Sequence, residues 1–128
     1  MRIEAPISAG ELIDKITILE IKSRHLRGRS EVANVEKELA LLHQIEVRAA
    51  LDQTLLRPLT DELRVVNAEI WRIEDEIRAC EATGNFGPQF IELARGVYTM
   101  NDRRAGIKRR INIACGSDII EEKSYPTP

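Results

Sequence analysis

The chain has 128 residues, 43% hydrophobic and 31% charged, with 19 Lys plus Arg against 21 Asp plus Glu for a net charge of −2. That near balance argues against a general polyanion binder, and aromatics at 4% are too scarce for base-stacking platforms or aromatic-lined sugar clefts. Two cysteines without CxxC spacing make no disulfide framework, no apolar h-region opens the chain, and no stretch approaches the roughly 20 apolar residues needed to cross a bilayer, so a cytoplasmic protein with no membrane span is expected.

The length suits one domain over residues 1–128, and the apolar residues recur with helical period along most of it. Residues 1–7 read as an extended lead-in. Ser8 followed by Glu11 has the spacing of a capping box, in which hydroxyl and carboxylate reciprocally satisfy orphan amides at a helix start. The first helix is predicted over 9–27, with Gly28 as its stop. Leu12, Ile13, Ile16 and Leu19 define one face of it, while Ile18 and Ile21 lie nearly opposite. A helix apolar most of the way round must be covered on more than one side, so it is either central in the fold or an interface. The expectation is a homodimer through this helix.

Ser30 is the next candidate N-cap, opening a helix over 31–55 with Val32, Val35, Leu39, Leu42 and Ala49 as its seam and Leu41 and Ile45 widening it. Pro58 then breaks the ladder or enters the first turn of a third helix, 58–83, closed by Gly84. Along it Leu59, Leu63, Val66, Ile70, Ile73, Ile77 and Cys80 alternate steps of four and three, a seam shaped for another helix. Beside the seam runs a polar stripe of Asn67, Trp71, Glu74, Arg78 and Glu81.

A corner at residues 85–87 leads to Pro88, which fits the first turn of a fourth helix over 88–115, ended by Gly116. Its heptad seam of Leu93, Val97, Met100, Arg104, Ile107, Ile111 and Ala114 carries one arginine, and a half-polar stripe of Ala94, Tyr98, Asn101, Ala105, Lys108 and Asn112 lies alongside. Gly96 and Gly106 inside this helix suggest close helix approach. The tail, 117–128, is expected to hold a helical turn through Ile120 and to fray from Pro126. Helices of roughly 27 to 40 Å, at 1.5 Å per residue, favour an all-α fold: an elongated antiparallel bundle of four long helices with a short C-terminal appendage.

Chemistry, if any, belongs to the polar stripes. An unpaired guanidinium or ammonium is costly to bury, so Arg104 and Lys108 need acceptors or an exit to water, and Glu74 and Asp14 are the expected acceptors. The bland reading makes these pairs register-setting ion bridges or snorkelling side chains. The sharper one is a groove built from Asp14, Lys15 and Lys22 on the first helix, Trp71, Glu74 and Arg78 on the third, and Tyr98, Asp102, Arg104 and Lys108 on the fourth. Such a set suits a small phosphorylated or dicarboxylate anion, with Arg as a fork and Lys as a point charge. Glu74 or Asp102 serves as a base only if burial raises its pKa.

Other chemistries lack a signature. His25 and His43 have no partners at ligand spacing, so no metal is expected, and no motif calls for a cofactor or marks a nucleophile. The basic run of Arg103, Arg104, Lys108, Arg109 and Arg110 is read as cations at a helix C-terminus in preference to a nucleic-acid surface.

Four segments resemble a small bacterial and phage-borne family of unknown function: Ile7 to Lys22 (ISAGELIDKITILEIK); Asn67 to Ile77 with its Trp71-x-Ile-Glu-Asp core; Phe90 to Arg95 continuing to Tyr98, Asn101 and Asp102; and Gly116-Ser117 with Glu121 to Tyr125 (EEKSY). The resemblance spans nearly the whole chain and implies an occasional link to surface-polysaccharide systems, without a mechanism. On it the family's polar signature positions are Asp14, Lys15, Lys22, Asn67, Trp71, Glu74, Asp75, Arg78, Glu92, Arg95, Tyr98, Asn101, Asp102 and Lys108, and Tyr125 is expected to plug the open end of the bundle. A second resemblance is to all-helical chorismate mutases, through Ile13-Asp14 and Arg24, with Arg78, Arg104 and Lys108 as pocket cations. It covers one helix, and no Glu or Gln answers the ether-oxygen partner.

These readings converge on a noncatalytic helical interaction or accessory module, with an unknown protein as partner. The alternative is an enzyme or sensor for a small anionic ligand in the charged groove. Whether the chain is an enzyme stays open in the sequence.

Overall fold

The computed structural model describes residues 1–124, which form four helices: α1 (Ala9–His25), α2 (Arg29–Arg48), α3 (Gln53–Thr83) and α4 (Pro88–Cys115). Tyr125 and the Pro126 end lie outside the described residues. The fold is an all-α bundle.

Helix ends follow local chemistry. Ser8 Oγ accepts the Glu11 amide at 3.1 Å to start α1. The return half of the capping box is absent, because the Glu11 carboxylate is drawn to Lys108 on α4. Gly84 (φ 68°) and Gly116 (φ 64°) close α3 and α4 in the left-handed region that glycine enters without steric cost. The amides that follow, Asn85 and Ser117, bond back to Cys80 and Asn112 carbonyls at 2.8 Å.

Four boundaries differ from expectation. Helix α1 ends at His25, and Gly28 serves as the N-cap of α2 where Ser30 was expected. Helix α2 stops at Arg48 instead of 55, and the chain turns through Ala50, whose φ is 54°. Asp52 then caps α3 by accepting the Leu55 amide at 3.1 Å, which leaves Pro58 inside the helix. Asx capping wins because it satisfies an orphan amide at once, while Pro58 stands on an exposed side where water can serve the carbonyl it leaves unpaired. After Gly116 the described tail is irregular, with no helical turn between Ser117 and Ile120.

Packing is layered. Helices α3 and α4 form an antiparallel hairpin, with Ile73 against Gly96 at one level and Glu62 bridged to Arg110 at another. Helix α1 lies on this hairpin, antiparallel to α4 through Gly10–Asn112 and Asp14–Arg104. It runs with α3, so that Ile13 shares a core with Leu63 and the His25 ring sits 5.1 Å from Trp71. Helix α2 touches α1 and no other helix among the described residues. The main core joins Ile13, Leu56, Leu63, Val66, Ile107 and Ile111, each worth about 1.5 to 3 kcal/mol when fully buried.

This layering explains why α1 is apolar all round. Gly10, Ile13, Asp14, Thr17 and Ile21 recur at helical spacing on the side of the hairpin, and Leu12, Ile16 and Leu19 recur on the opposite side, where α2 lies. Of the two residues on the face expected to meet a second subunit, Ile21 is 3% exposed and Ile18 is half-buried.

Candidate functional site

The second stripe of α4 and one stripe of α1 meet at a polar hub inside the bundle. Asp14 is its centre, with 0% exposure. Its Oδ1 accepts from Arg104 Nε at 2.9 Å and from Asn67 Nδ2 at 2.9 Å, and its Oδ2 accepts from Arg104 Nη2. Lys108 Nζ stands 3.8 Å from the same oxygen. Asn67 also donates to Thr17 Oγ1 at 2.9 Å, and that hydroxyl donates to the Asp14 carbonyl at 2.8 Å. One buried carboxylate thereby ties α1 to both helices of the hairpin.

Lys108 extends the hub outward. It donates to Glu11 at 2.7 Å and to Glu121 of the tail at 2.8 Å. Below it the Gly10 amide donates to Asn112 Oδ1 at 2.7 Å. That approach requires glycine: a Cβ on Gly10 would stand 2.5 Å from the Lys108 carbonyl oxygen. The sequence places Lys108 and Asn112 one turn apart on α4, and Gly10, Glu11 and Asp14 within the first turns of α1, so the two helix ends interlock.

The electrostatics favour the charged forms of Arg104, Lys108 and Glu121. The hydrogen bonds that Arg104 donates to Asp14 raise its pKa above the ordinary guanidinium range. Burial works against the Lys108 ammonium, yet its hydrogen bonds to Glu11 and Glu121 and the Asp14 charge hold its pKa above the usual lysine range. Lys108 in turn draws the Glu121 carboxyl below the usual carboxylate range. A general acid or base needs a pKa moved toward neutrality, and these three groups move the other way. A cleft of about 350 Å³ opens beside the hub, lined in part by Asn101, Arg104, Lys108 and Glu121.

Of the residues expected to line one groove, the structure brings Asp14, Arg104 and Lys108 together, with the exposed Lys15 at the rim, 3.8 Å from Glu11. The others stand apart. Lys22 is half-buried farther along α1. Trp71 lies at the opposite end of α1 beside His25, and its Nε1 is buried without a hydrogen-bond partner. Glu74 and Arg78 are exposed on α3, as are Tyr98 and Asp102 on α4. The cause for α3 is length: α1 spans about 26 Å and α3 about 46 Å, so the stripe beyond Trp71 has no α1 to face. Glu74 accordingly does not answer the cations; Glu11 and Glu121 do.

The hub also recruits residues outside the groove set: Glu11, Thr17, Asn67, Asn112 and Glu121. Asn67 and Asn112 belong to the polar stripes that run beside the apolar seams, and that placement is the available signal for them. Among the described residues no group of three or more His, Cys, Asp or Glu could hold a metal ion, and no helix is long and apolar enough to cross a membrane.

The chain belongs to a family of unknown function, DUF6165, whose family model matches residues 1–128. No curated protein and no solved structure matches it.

Proposed function

We propose that the chain is a noncatalytic helical interaction module, held in one register by the Asp14 hub and acting in the cytoplasm. The observation that carries this reading is the state of the hub cations: Arg104 and Lys108 are each held by carboxylates of the chain itself. Those carboxylates occupy the positions an anionic substrate would need. Buried polar contacts of this kind are best attested as devices that fix register. Cys80, buried, and Cys115, half-buried, are free thiols, in keeping with a reducing compartment.

The competing reading is an enzyme or sensor for a small anion. The cleft beside Arg104 and Lys108 speaks for it, and the carboxylates already on those cations, Asp14 on Arg104 and Glu11 and Glu121 on Lys108, speak against it. A thermal-shift panel of nucleotide sugars, sugar phosphates, dicarboxylates and simple polyanions separates the two. A ligand at 100 times its dissociation constant stabilises by about 2.7 kcal/mol, several degrees for a chain of this size. The interaction module gives no selective shift. A selective shift that disappears in Lys108→Met, with the variant shown to be folded by circular dichroism, would make the cleft a ligand site and overturn the proposal.

A further inference from the structure

The outer face of the α3–α4 hairpin, turned away from the hub, carries an apolar groove that none of the described residues covers. Its floor is Val66 and Ile107 and its hollow is Gly106, where an added Cβ would meet no atom within 4 Å. Val65 stands in it 71% exposed. Helical spacing extends the strip. Leu55, Pro58, Glu62 and Val65 recur along α3, and Arg103, Gly106, Arg110 and Ile113 along α4, with Leu55 51% and Ile113 64% exposed. Three large exposed aliphatic side chains on one face of a helix pair are more than scattered surface apolars.

The groove walls carry opposite charge. Asp61 and Glu62 border it on α3, and Arg103 and Arg110 border it on α4. We propose that this groove is the contact surface of a homodimer, closed by a second copy of the chain about a two-fold axis running along the hairpin. That axis sets α3 of one copy opposite α4 of the other and antiparallel to it. Because Glu62 and Arg110 already sit at one level, bridged at 3.1 Å, each then finds the opposite charge across the interface as well as beside it. A two-fold axis across the hairpin would instead set like helices against each other and juxtapose acid with acid. The surface is self-complementary in the first arrangement alone.

Size sets the strength. The strip from Leu55 to Glu69 is about 21 Å long and about 20 Å wide, hence roughly 400 Å² per copy, against about 800 Å² for a standard stable interface. The dimer is therefore concentration-dependent. The inference extends the interaction-module reading by naming one partner, and its readout is independent of the ligand panel.

Sedimentation equilibrium of the full chain, from about 10 µM to about 1 mM, tests it. The expected result is a reversible monomer–dimer equilibrium. Val65→Asp, at an exposed site and confirmed folded by circular dichroism, weakens it about tenfold or more, as does Arg110→Glu. The double swap Glu62→Arg with Arg110→Glu restores association, while Val47→Asp, 78% exposed on α2, leaves it unchanged. A chain monomeric over the whole range overturns the proposal. So does a dimer that survives Val65→Asp, or one that Val47→Asp dissociates in its place.

Discussion

The Arg104 guanidinium reaches ninety positions back along the chain to lie across both carboxylate oxygens of Asp14, with Nε 2.9 Å from Oδ1. Asp14 is wholly buried and Arg104 keeps one edge toward the cleft. Removing the partially exposed member orphans the buried one. Arg104→Met is expected to lower stability by about 3 kcal/mol in urea melts, the low end for an orphaned buried charge, since Asn67 and Lys108 still serve Asp14. Arg72→Met, which removes a surface pairing with Glu69 and Glu76, is expected to leave the midpoint unchanged. Equal effects at the two sites would mean the hub contributes nothing to the fold.

Gly10 and Gly106 are both helical glycines with opposite surroundings. Alanine at Gly10 collides with the Lys108 backbone, which cannot rotate away, so α1 must lift from α4 and loosen the amide bond to Asn112. Gly10→Ala is expected to destabilise by about 1 to 3 kcal/mol, the usual range for overpacking. Gly106→Ala has open space and gains helix propensity, so a stabilisation of up to about 1 kcal/mol is expected at dilute concentration. A neutral Gly10→Ala in thermal melts would deny the close approach.

The seams were legible because periodicity reports burial. On α3, Leu63, Val66, Ile73 and Cys80 are buried as the heptad spacing implies, and on α4 Ile107 and Ile111 are. Glycine stops were legible too, since Gly84 and Gly116 adopt the left-handed conformation that their position demands. The break between α2 and α3 was not, because Ala50 takes a positive φ without a glycine or proline to announce it. Six of the ten groove residues strayed, Glu74 and Arg78 among them for a tertiary reason: the α3 stripe is longer than the α1 that covers it, and α3 does not encode where its neighbour ends. Glu11 was read as a cap because its local partner is visible in sequence, whereas Lys108 is 97 positions away.

The interior of α1 and the α3 seam offer a paired test. Ile21 is buried on the hairpin side with Asp14 and Thr17, so Ile18→Ser combined with Ile21→Ser is expected to unfold the chain and not to release a folded monomer. Ile73→Ala should cost about 2 to 5 kcal/mol and the half-buried Ile70→Ala less. Circular dichroism with light scattering reads the first, and denaturant melts the second. A well-folded monomer from the double serine variant would move Ile21 to the surface and refute the layering.

Glu121 ties the tail to Lys108, and its protonation should untie it. Its carboxyl is held below the ordinary glutamate range by the Lys108 hydrogen bond, so the contribution is fully present above that range and is lost as pH falls through the lowered folded value. Lys108 has the opposite sign: its raised pKa keeps the contact intact below the ordinary lysine range and surrenders it only as pH climbs past the folded value. The clasp should therefore hold from mildly acidic to strongly alkaline conditions. Hydrogen exchange of the 117–124 backbone reads it directly: protection should fall in acid before the helices open. Glu121→Gln should show the loosened tail already at neutral pH and no further acid step. A tail equally protected in both proteins at neutral pH would mean that the Lys108 contact does not hold it, leaving the cleft beside Arg104 without its clasp.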